Sequence, residues 1–408
     1  MSKRLAIIGA GASGLVAALV ASRGGAEVKI FEKNNKIGKK ILATGNGRCN
    51  VTNTSIKTSN YHGINPKFVN IAIDRFNTST CRAFFEKIGI DLIEGQKGRL
   101  YPKSLQSSSV VELLAYECKR NGVDIYLNQE VTDITKEGEK FALHVEGKKY
   151  HSDFVLIAAG GLAMPTLGAS DSGYGFAKKF GHTLIPTFAS LVQLETKEDF
   201  KSISGVKVQG SIKVVQGKED LAYASGDILF TNYGISGSAI LDVSRVINKV
   251  LQNNDKVLVS MDLMSEYSKE QLKNTLIKRA KNSNGKSVSL WLDGFLNSKL
   301  SLFLSKNIKV KNADDLNTKD IVNLVYLLKN FKATIVGSRG FRSAEVTAGG
   351  VNTDQVNPNT FESKLQNGLF FSGEVLDIDA DCGGYNLHWA WASGYSVGLA
   401  ISSITKNI

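Results

Sequence analysis

LAIIGAGASGLVAAL, residues 5–19, passes from four apolar residues through a glycine turn into a helix-like run of small residues. Gly9, Gly11 and Gly14 stand in the GxGxxG spacing of a dinucleotide fingerprint. The first glycine allows the tight strand-to-helix turn, the second lets backbone approach a pyrophosphate, and the third lets helix pack against strand. Ala12 and Ser13 open the helix, whose unpaired N–H groups and dipole favour an anion. A second apolar run, VKIF, ends at Glu32, eighteen residues after Gly14. That is the position of the acid that accepts ribose hydroxyls, and Lys33 beside it is counted with the cofactor contacts.

The other end of the chain points to FAD rather than NAD. GLFFSGEVLDIDADCGGYNLHWAWASGYSVGLAI, residues 368–401, reads as a strand (Leu369 to Phe371), a glycine-and-acid loop and a closing helix. Gly373 and Gly384 permit close backbone approach, Glu374 and Asp377 are placed for ribityl hydroxyls, and Tyr385 and Asn386 begin the helix. Its N-terminal dipole suits negative charge on a reduced isoalloxazine, with Asn386 the expected contact at the pyrimidine end. FVLIAAGG, residues 154–161, is an internal strand whose Ala159 and Gly160 turn back beside the cofactor. By architectural analogy, backbone at Val131 meets the adenine. No second GxGxxG follows, so NAD(P)H as electron donor stays open but lacks a domain of its own.

A length of 408 residues suggests two or three domains, and 42% hydrophobic with 22% charged residues fits a soluble globular protein. No run is long enough for a membrane span, and the apolar run after MSKR is a buried strand rather than a signal peptide. Four cysteines without CxxC spacing fit a reducing cytoplasm, and no ligand cluster argues for a metal. The net charge is +12. Residues 249–339 hold 16 Lys+Arg against 8 Asp+Glu, a local +8 that includes Lys278, Arg279, Lys281 and Lys286. Such a segment is either a solvated surface or a phosphate-tracking face for a nucleic acid.

The pattern along the chain is an α/β fold: a Rossmann-type FAD domain (1–190 and 346–408) interrupted by a β-rich, barrel-like domain (191–262, with a return strand in 332–345). The latter carries a helical insertion, 263–331, read as three helices with Ser265 and Thr318 as N-caps. Helices are also expected over 80–88 and 109–121, and antiparallel strands through 124–157.

Within TGNGRCNVTN, residues 44–53, Gly45 permits close approach, Asn46 offers an amide and Arg48 a fixed cation for a reduced flavin or a substrate oxyanion. Cys49 is a candidate proton donor and also a candidate packing residue. Lys40 is a candidate phosphate contact, His388 a second proton donor or a hydrogen-bonding spacer, and Arg339 and Arg342 are substrate-anion candidates or salt-bridge partners.

GKKILATGNGRCNVTN (38–53), GGLAMPTLGASDSGYGFAKKFGH (160–182) and GGYNLHWAWASG (383–394) together resemble the BaiN-like, aminoacetone-oxidase-like flavoproteins over essentially the whole chain. The resemblance implies non-covalent FAD in an interrupted domain, and glutamine rather than histidine as the usual residue at position 388. It also implies amine oxidation, reduction of conjugated C=C bonds in steroid-like substrates, or dihydrouridine formation in large-subunit ribosomal RNA. The leading expectation is C=C reduction of uridine, with ribosomal RNA held by the basic segment. A peroxide-forming amine oxidase, an NAD(P)H-dependent enone reductase and a non-catalytic FAD-dependent RNA-binding or assembly protein are the alternatives. The sequence leaves oligomeric state open.

Overall fold

The computed structural model describes residues 3–217, 219–253 and 256–406. The chain forms two compact units, Met1–Phe188 with Glu345–Ile408, and Ala189–Ala344.

The first unit is built on a five-stranded parallel sheet ordered Leu369–Phe371, Phe154–Ile157, Arg4–Ile8, Glu27–Glu32, Asp124–Leu127. Its central strands are continuous apolar runs because helices and loops cover both faces. Ile8 lies level with Phe31 on one side and Ile157 on the other, so Gly9, Glu32, Ala158 and Ser372 meet at one carboxyl edge. Ligands of open α/β sheets bind at that edge. The first helix, Ala12–Arg23, and the last, Tyr385–Lys406, pack against each other through small residues. A side-chain carbon at Gly398 would meet Val20 Cβ at 2.5 Å.

The expectation of antiparallel strands through 124–157 needs correction. Only Val131–Glu137, Lys140–Val145 and Lys148–Ser152 form an antiparallel meander, while the flanking strands join the parallel sheet. Two short antiparallel elements prove central to the site. Thr52–Asn53 pairs with Arg99–Pro102, and Tyr61–His62 pairs with Asp379–Ala380.

The second unit is a closed six-stranded barrel: Leu194–Thr196, Gly234–Ser236, Glu219–Phe230, Lys207–Gln216, Val257–Asp262, Phe331–Ser338. The helices of 263–331 share its core, with Leu272, Trp291, Leu304 and Leu324 packed in one cluster with Ile212, Val259 and Ile335. Four helices replace the three expected, because Gly294 ends Val288–Asp293 and Asn297 caps Ser298–Ser305. The caps also differ from expectation: Ser268 rather than Ser265 caps Lys269–Ala280, and Asn317 rather than Thr318 caps Thr318–Lys329. Both form capping boxes, which satisfy two orphan donors reciprocally. Ser238–Leu251 is a further helix, with Ala239, Ile240, Val243 and Ile247 on its buried face. Among the described residues no helix is long and apolar enough to cross a membrane.

Candidate functional site

The glycine turn has the geometry its spacing requires. Gly9 has φ +104°, and a side chain there would meet the Ala158 carbonyl oxygen at 2.6 Å. One at Gly14 would collide with the Gly9 carbonyl oxygen. Gly11 differs, since a Cβ there would meet no protein atom within 4 Å. The space over Gly11 is therefore a cradle that a side chain would fill, and no side chain caps the N-terminus of the helix behind it. Glu32 stands at the strand tip, where its carboxylate accepts from the Ala10 N–H at 2.9 Å and the Asn34 N–H at 2.8 Å. Gln129 donates to the Glu32 carbonyl at 2.9 Å, which brings the backbone leading to Val131 alongside this end.

On the other side of the turn, Gly373 has φ +76° and faces Ser13, and Ala159 and Gly160 follow the strand that packs on Gly9. Lys40 and Glu374 pair with each other at 2.6 Å, and Glu374 also accepts from the Thr347 N–H at 2.8 Å. Lys33 donates to Ser170 Oγ at 2.8 Å.

The 44–53 block folds against the start of the last helix. Gly45, Asn46 and Gly47 all have positive φ, and Gly384, at φ +95°, sits with no room for a side chain against Asn50 Oδ1 and the Thr52 carbonyl. Asn50 Oδ1 is buried without a hydrogen-bond partner, an acceptor aimed where a ligand donor belongs. Asn53 Nδ2 donates to the Gly383 carbonyl at 3.0 Å. Arg48 is exposed, with its guanidinium 5.1 Å over the Tyr101 ring, and takes part in no ion pair among the described residues. Arg99, which sequence reasoning missed, lies on the same strand face as Tyr101 and reaches Cys382 Sγ at 3.6 Å. Its isolated position in RLYP gives no local signal, because the neighbour that makes it interesting is 283 residues away.

The geometry corrects four expectations. Cys49 has no exposed surface, and burial pushes its thiol up to about 12, so it is a packed side chain. His388 is wholly buried, its Nδ1 2.8 Å from Thr52 Oγ1, and burial pushes it down to about 4. It is neutral at neutral pH and out of reach of solvent or ligand, which removes it as proton donor and leaves the spacer role. The side-chain amide of Asn386 is engaged with Ala380 in both directions, accepting from its N–H at 2.9 Å and donating to its carbonyl at 2.8 Å. It staples the loop rather than offering itself to a ligand. Asp377, 2% exposed, accepts from the Ile64 N–H at 2.8 Å and holds that segment in place. Tyr385 remains part-exposed at the helix start.

Two tests arise directly. In the FAD-free protein a thiol reagent should label Cys382 alone, since Cys49, Cys81 and Cys118 are buried, and four thiols should react after denaturation. The second concerns acid. His388 and His182 are both pushed down to about 4 by burial, so between pH 4 and 6.5 the unfolded chain binds more protons than the folded one. Stability therefore rises with pH through that window and is lost as pH falls below the unfolded histidine value. His388→Gln should flatten the fall in Tm between pH 7 and 5, and an unchanged pH slope would show that His388 does not titrate on unfolding.

In the second unit Arg339 pairs with Glu195 at 3.3 Å and lies 5.0 Å from the Tyr233 ring centroid, so it is a barrel ion pair. Arg342 is exposed in the turn after it. Of the basic side chains in 249–339, only Lys329 and Arg339 form ion pairs among the described residues. Arg279 donates to the Trp291 carbonyl at 3.0 Å and covers Phe295, so it leaves the cluster of free cations expected around it. Lys278, Lys281, Lys306, Lys309 and Lys311 are exposed.

A carboxyl-edge glycine cradle, an uncapped helix start and a second glycine approach at a closing helix define a Rossmann-type dinucleotide-binding protein. The family model described as HI0933-like protein Rossmann domain matches residues 3–400, and the chain belongs to that family. The chain is 38% identical to a 3-dehydro-bile acid delta(4,6)-reductase of Clostridium scindens, over 97% of this chain and 98% of that one. It is 34% identical to a ribosomal RNA dihydrouridine synthase of Haemophilus influenzae, again over 97% and 98%. Among solved structures, 3-ketosteroid delta1-dehydrogenase from Sterolibacterium denitrificans shares the fold, with a TM-score of 0.53 at 11% identity over 99% of this chain and 100% of that one. The protein is an FAD-dependent oxidoreductase, and the residues present fit FAD: an open cradle at Gly11, an orphaned acceptor at Asn50 and a glycine approach at Gly384.

Proposed function

We propose that this protein reduces a carbonyl-conjugated C=C bond, with uridine in large-subunit ribosomal RNA as the leading substrate. Gly9, Gly11, Ala12, Ser13 and Gly14 would hold the FAD diphosphate, Glu32 and Val131 the adenosine end, and Gly45, Asn46, Ala159, Gly160, Gly373, Gly384 and Tyr385 the flavin end. Lys33 and the Lys40–Glu374 pair flank that path. Bound FAD would supply hydride chemistry, with NAD(P)H a candidate electron source. Uracil C5=C6 is conjugated to the C4 carbonyl, so hydride addition at C6 builds negative charge on that oxygen. Arg48, exposed and in no ion pair among the described residues, is the cation suited to receive that charge.

The observation that carries the RNA reading is the +8 of residues 249–339, whose exposed lysines are almost free of ion pairs. Two relatives bearing the dihydrouridine synthase name, at 34% and 32% identity, support it. The decisive experiment is nucleoside mass spectrometry of large-subunit ribosomal RNA from cells with and without the gene. Dihydrouridine that disappears on deletion and returns with the intact gene is the expected result. An unchanged profile overturns it. Binding of ribosomal RNA fragments should also weaken steeply with salt, log K falling linearly with log salt.

A second reading has its own support in the bile acid reductase, which at 38% identity resembles this chain more than either dihydrouridine synthase does. An anionic steroid carrying a conjugated 3-ketone would then be the substrate, with Arg342 a candidate partner for its carboxylate. Turnover of such an enone, with no change in ribosomal RNA, would favour it.

A further inference from the structure

Reduction of a conjugated C=C bond consumes a hydride and a proton, and the two proton donors expected from the sequence are buried. The protein has five histidines. His182 and His388 are closed off in the core. His144 and His151 lie on the antiparallel meander, within Lys140–Val145 and Lys148–Ser152. The fifth, His62, lies beside the loop that leads to Gly383 and Gly384.

Its placement is built rather than incidental. The strand Tyr61–His62 pairs with Asp379–Ala380, with His62 opposite Asp379. Asp381 donates its N–H to the Asn60 carbonyl at 3.0 Å, and Asn60 Nδ2 reaches Asp381 Oδ2 at 3.3 Å. Between those two clamps, His62 Nε2 lies 2.8 Å from Asp381 Oδ1, with the two side chains 33% and 40% exposed. One residue on, Gly63 has φ +155° and no room for a side chain against the Asp377 carbonyl. Ile64, its N–H fixed by Asp377, then presents an apolar side chain that is 66% exposed. The loop therefore offers a carboxylate-oriented imidazole and an apolar lip two residues before the glycine approach.

We infer that His62 is the general acid that protonates the substrate α-carbon, with Asp381 the residue that positions its ring. This rests on the C=C reduction proposed above. Asp381 holds Nε2 and so fixes the ring orientation, leaving Nδ1 for the substrate. Bound FAD, once reduced, would supply the hydride for the β-carbon, and the proton would leave the His62 imidazolium for the α-carbon. The π bond breaks and two C–H bonds form. The substrate gains two electrons, the flavin loses them, and neutral His62 takes a proton back from solvent. Asp377, Asp379, Cys382 and Tyr61 are the other titratable groups on the strands and loop packed here, with Cys382 Sγ accepting from the Arg99 guanidinium at 3.6 Å. Asp377 is committed to Ile64, and Asp379 and Tyr61 are buried.

The test uses holoenzyme whose FAD has been chemically reduced without oxygen, then mixed with large-subunit ribosomal RNA from the deletion strain or with a 3-oxo-4-ene steroid. Reoxidation is read from flavin absorbance. With the probe that reoxidises wild type, H62Q should react about 10²- to 10⁴-fold more slowly. FAD content and the rate of flavin reduction by NAD(P)H should stay unchanged. Imidazole should restore part of the rate to H62A, and D381N should fall between wild type and H62Q. In heavy water, wild type should place deuterium on one face of the α-carbon and H62Q on both. A wild-type rate in H62Q, or a slow H62A that imidazole does not rescue and that also loses FAD, overturns the assignment. Wild type that neither probe reoxidises overturns the parent reading instead, and this inference falls with it.

Discussion

Gly11→Val should give a folded protein that no longer retains FAD. At Gly11 the backbone has φ −85° and ψ −168°, a conformation open to any L-residue. A Cβ there meets no protein atom within 4 Å, so the fold leaves room for a side chain to begin. The loss of a glycine N-cap for valine costs about 1 kcal/mol at most. The two methyl groups would instead occupy the space over the helix start where a diphosphate must sit within hydrogen-bond distance of backbone. A loss of at least ~2.7 kcal/mol, about a hundredfold in affinity, is expected. The measurement is FAD titration by fluorescence beside thermal melting of the apoprotein. Gly14→Ala is the contrast, since its side chain runs into the backbone carbonyl of Gly9 and the cost falls on folding itself. If Gly11→Val binds FAD as wild type does, the cradle over Gly11 is not the diphosphate site.

That difference between two glycines of one motif marks how far the sequence could be read. Periodicity and glycine spacing carry the first strand, the turn and the closing helix because each is a local consequence of nearby residues, whereas Asp124–Leu127 and Phe154–Ile157 each pair in parallel with strands far away in sequence. The same local reading missed the helix Ser238–Leu251, although Ala239, Ile240, Val243 and Ile247 recur at helical spacing, because it follows directly on a glycine-rich strand segment. It also joined Val288–Asp293 to Ser298–Ser305, since the break depends on Gly294 and the cap at Asn297. Side-chain roles were less legible still. Asn386 and Glu374 were placed correctly on their elements, yet their partners, Ala380 and Lys40, are set by how the loop folds back. At His388 the sequence leaves both an acid and a spacer open, because an imidazole suits either role and the adjacent Leu387 and Trp389 do not decide between them. Its neighbours in space are Thr52 and Phe76, which make it a core residue. His62 carried no signal, because its partner Asp381 is 319 residues away.

The closing helix does more than cover the sheet, and Gly394→Ala should show it. A side-chain carbon at Gly394 would press on the carbonyl oxygen of Ser13, inside the phosphate turn. The obstacle is backbone, so no rotamer change relieves it and one helix must move from the other. Overpacking of this kind costs about 1–3 kcal/mol and occasionally more. At ~2–4 °C per kcal/mol for a domain of this size, the Tm should fall by roughly 6–12 °C at the upper end of that range. The displacement acts on the turn itself: Ser13 Oγ lies 3.5 Å from the Ser372 carbonyl, and Gly373 packs on Ser13 from the other side. FAD affinity should therefore drop together with stability. Ser402→Ala separates the two effects. It removes the Ser402 Oγ hydrogen bond to the Val20 carbonyl at 3.1 Å, near the far end of both helices. About 1 kcal/mol of stability should go with it, and FAD binding should be retained. Equal loss of FAD in both variants would mean that the helix pair acts only through global stability. Loss in Gly394→Ala alone would mean that the last helix sets the geometry of the first turn, joining the two ends of the chain into one cofactor site.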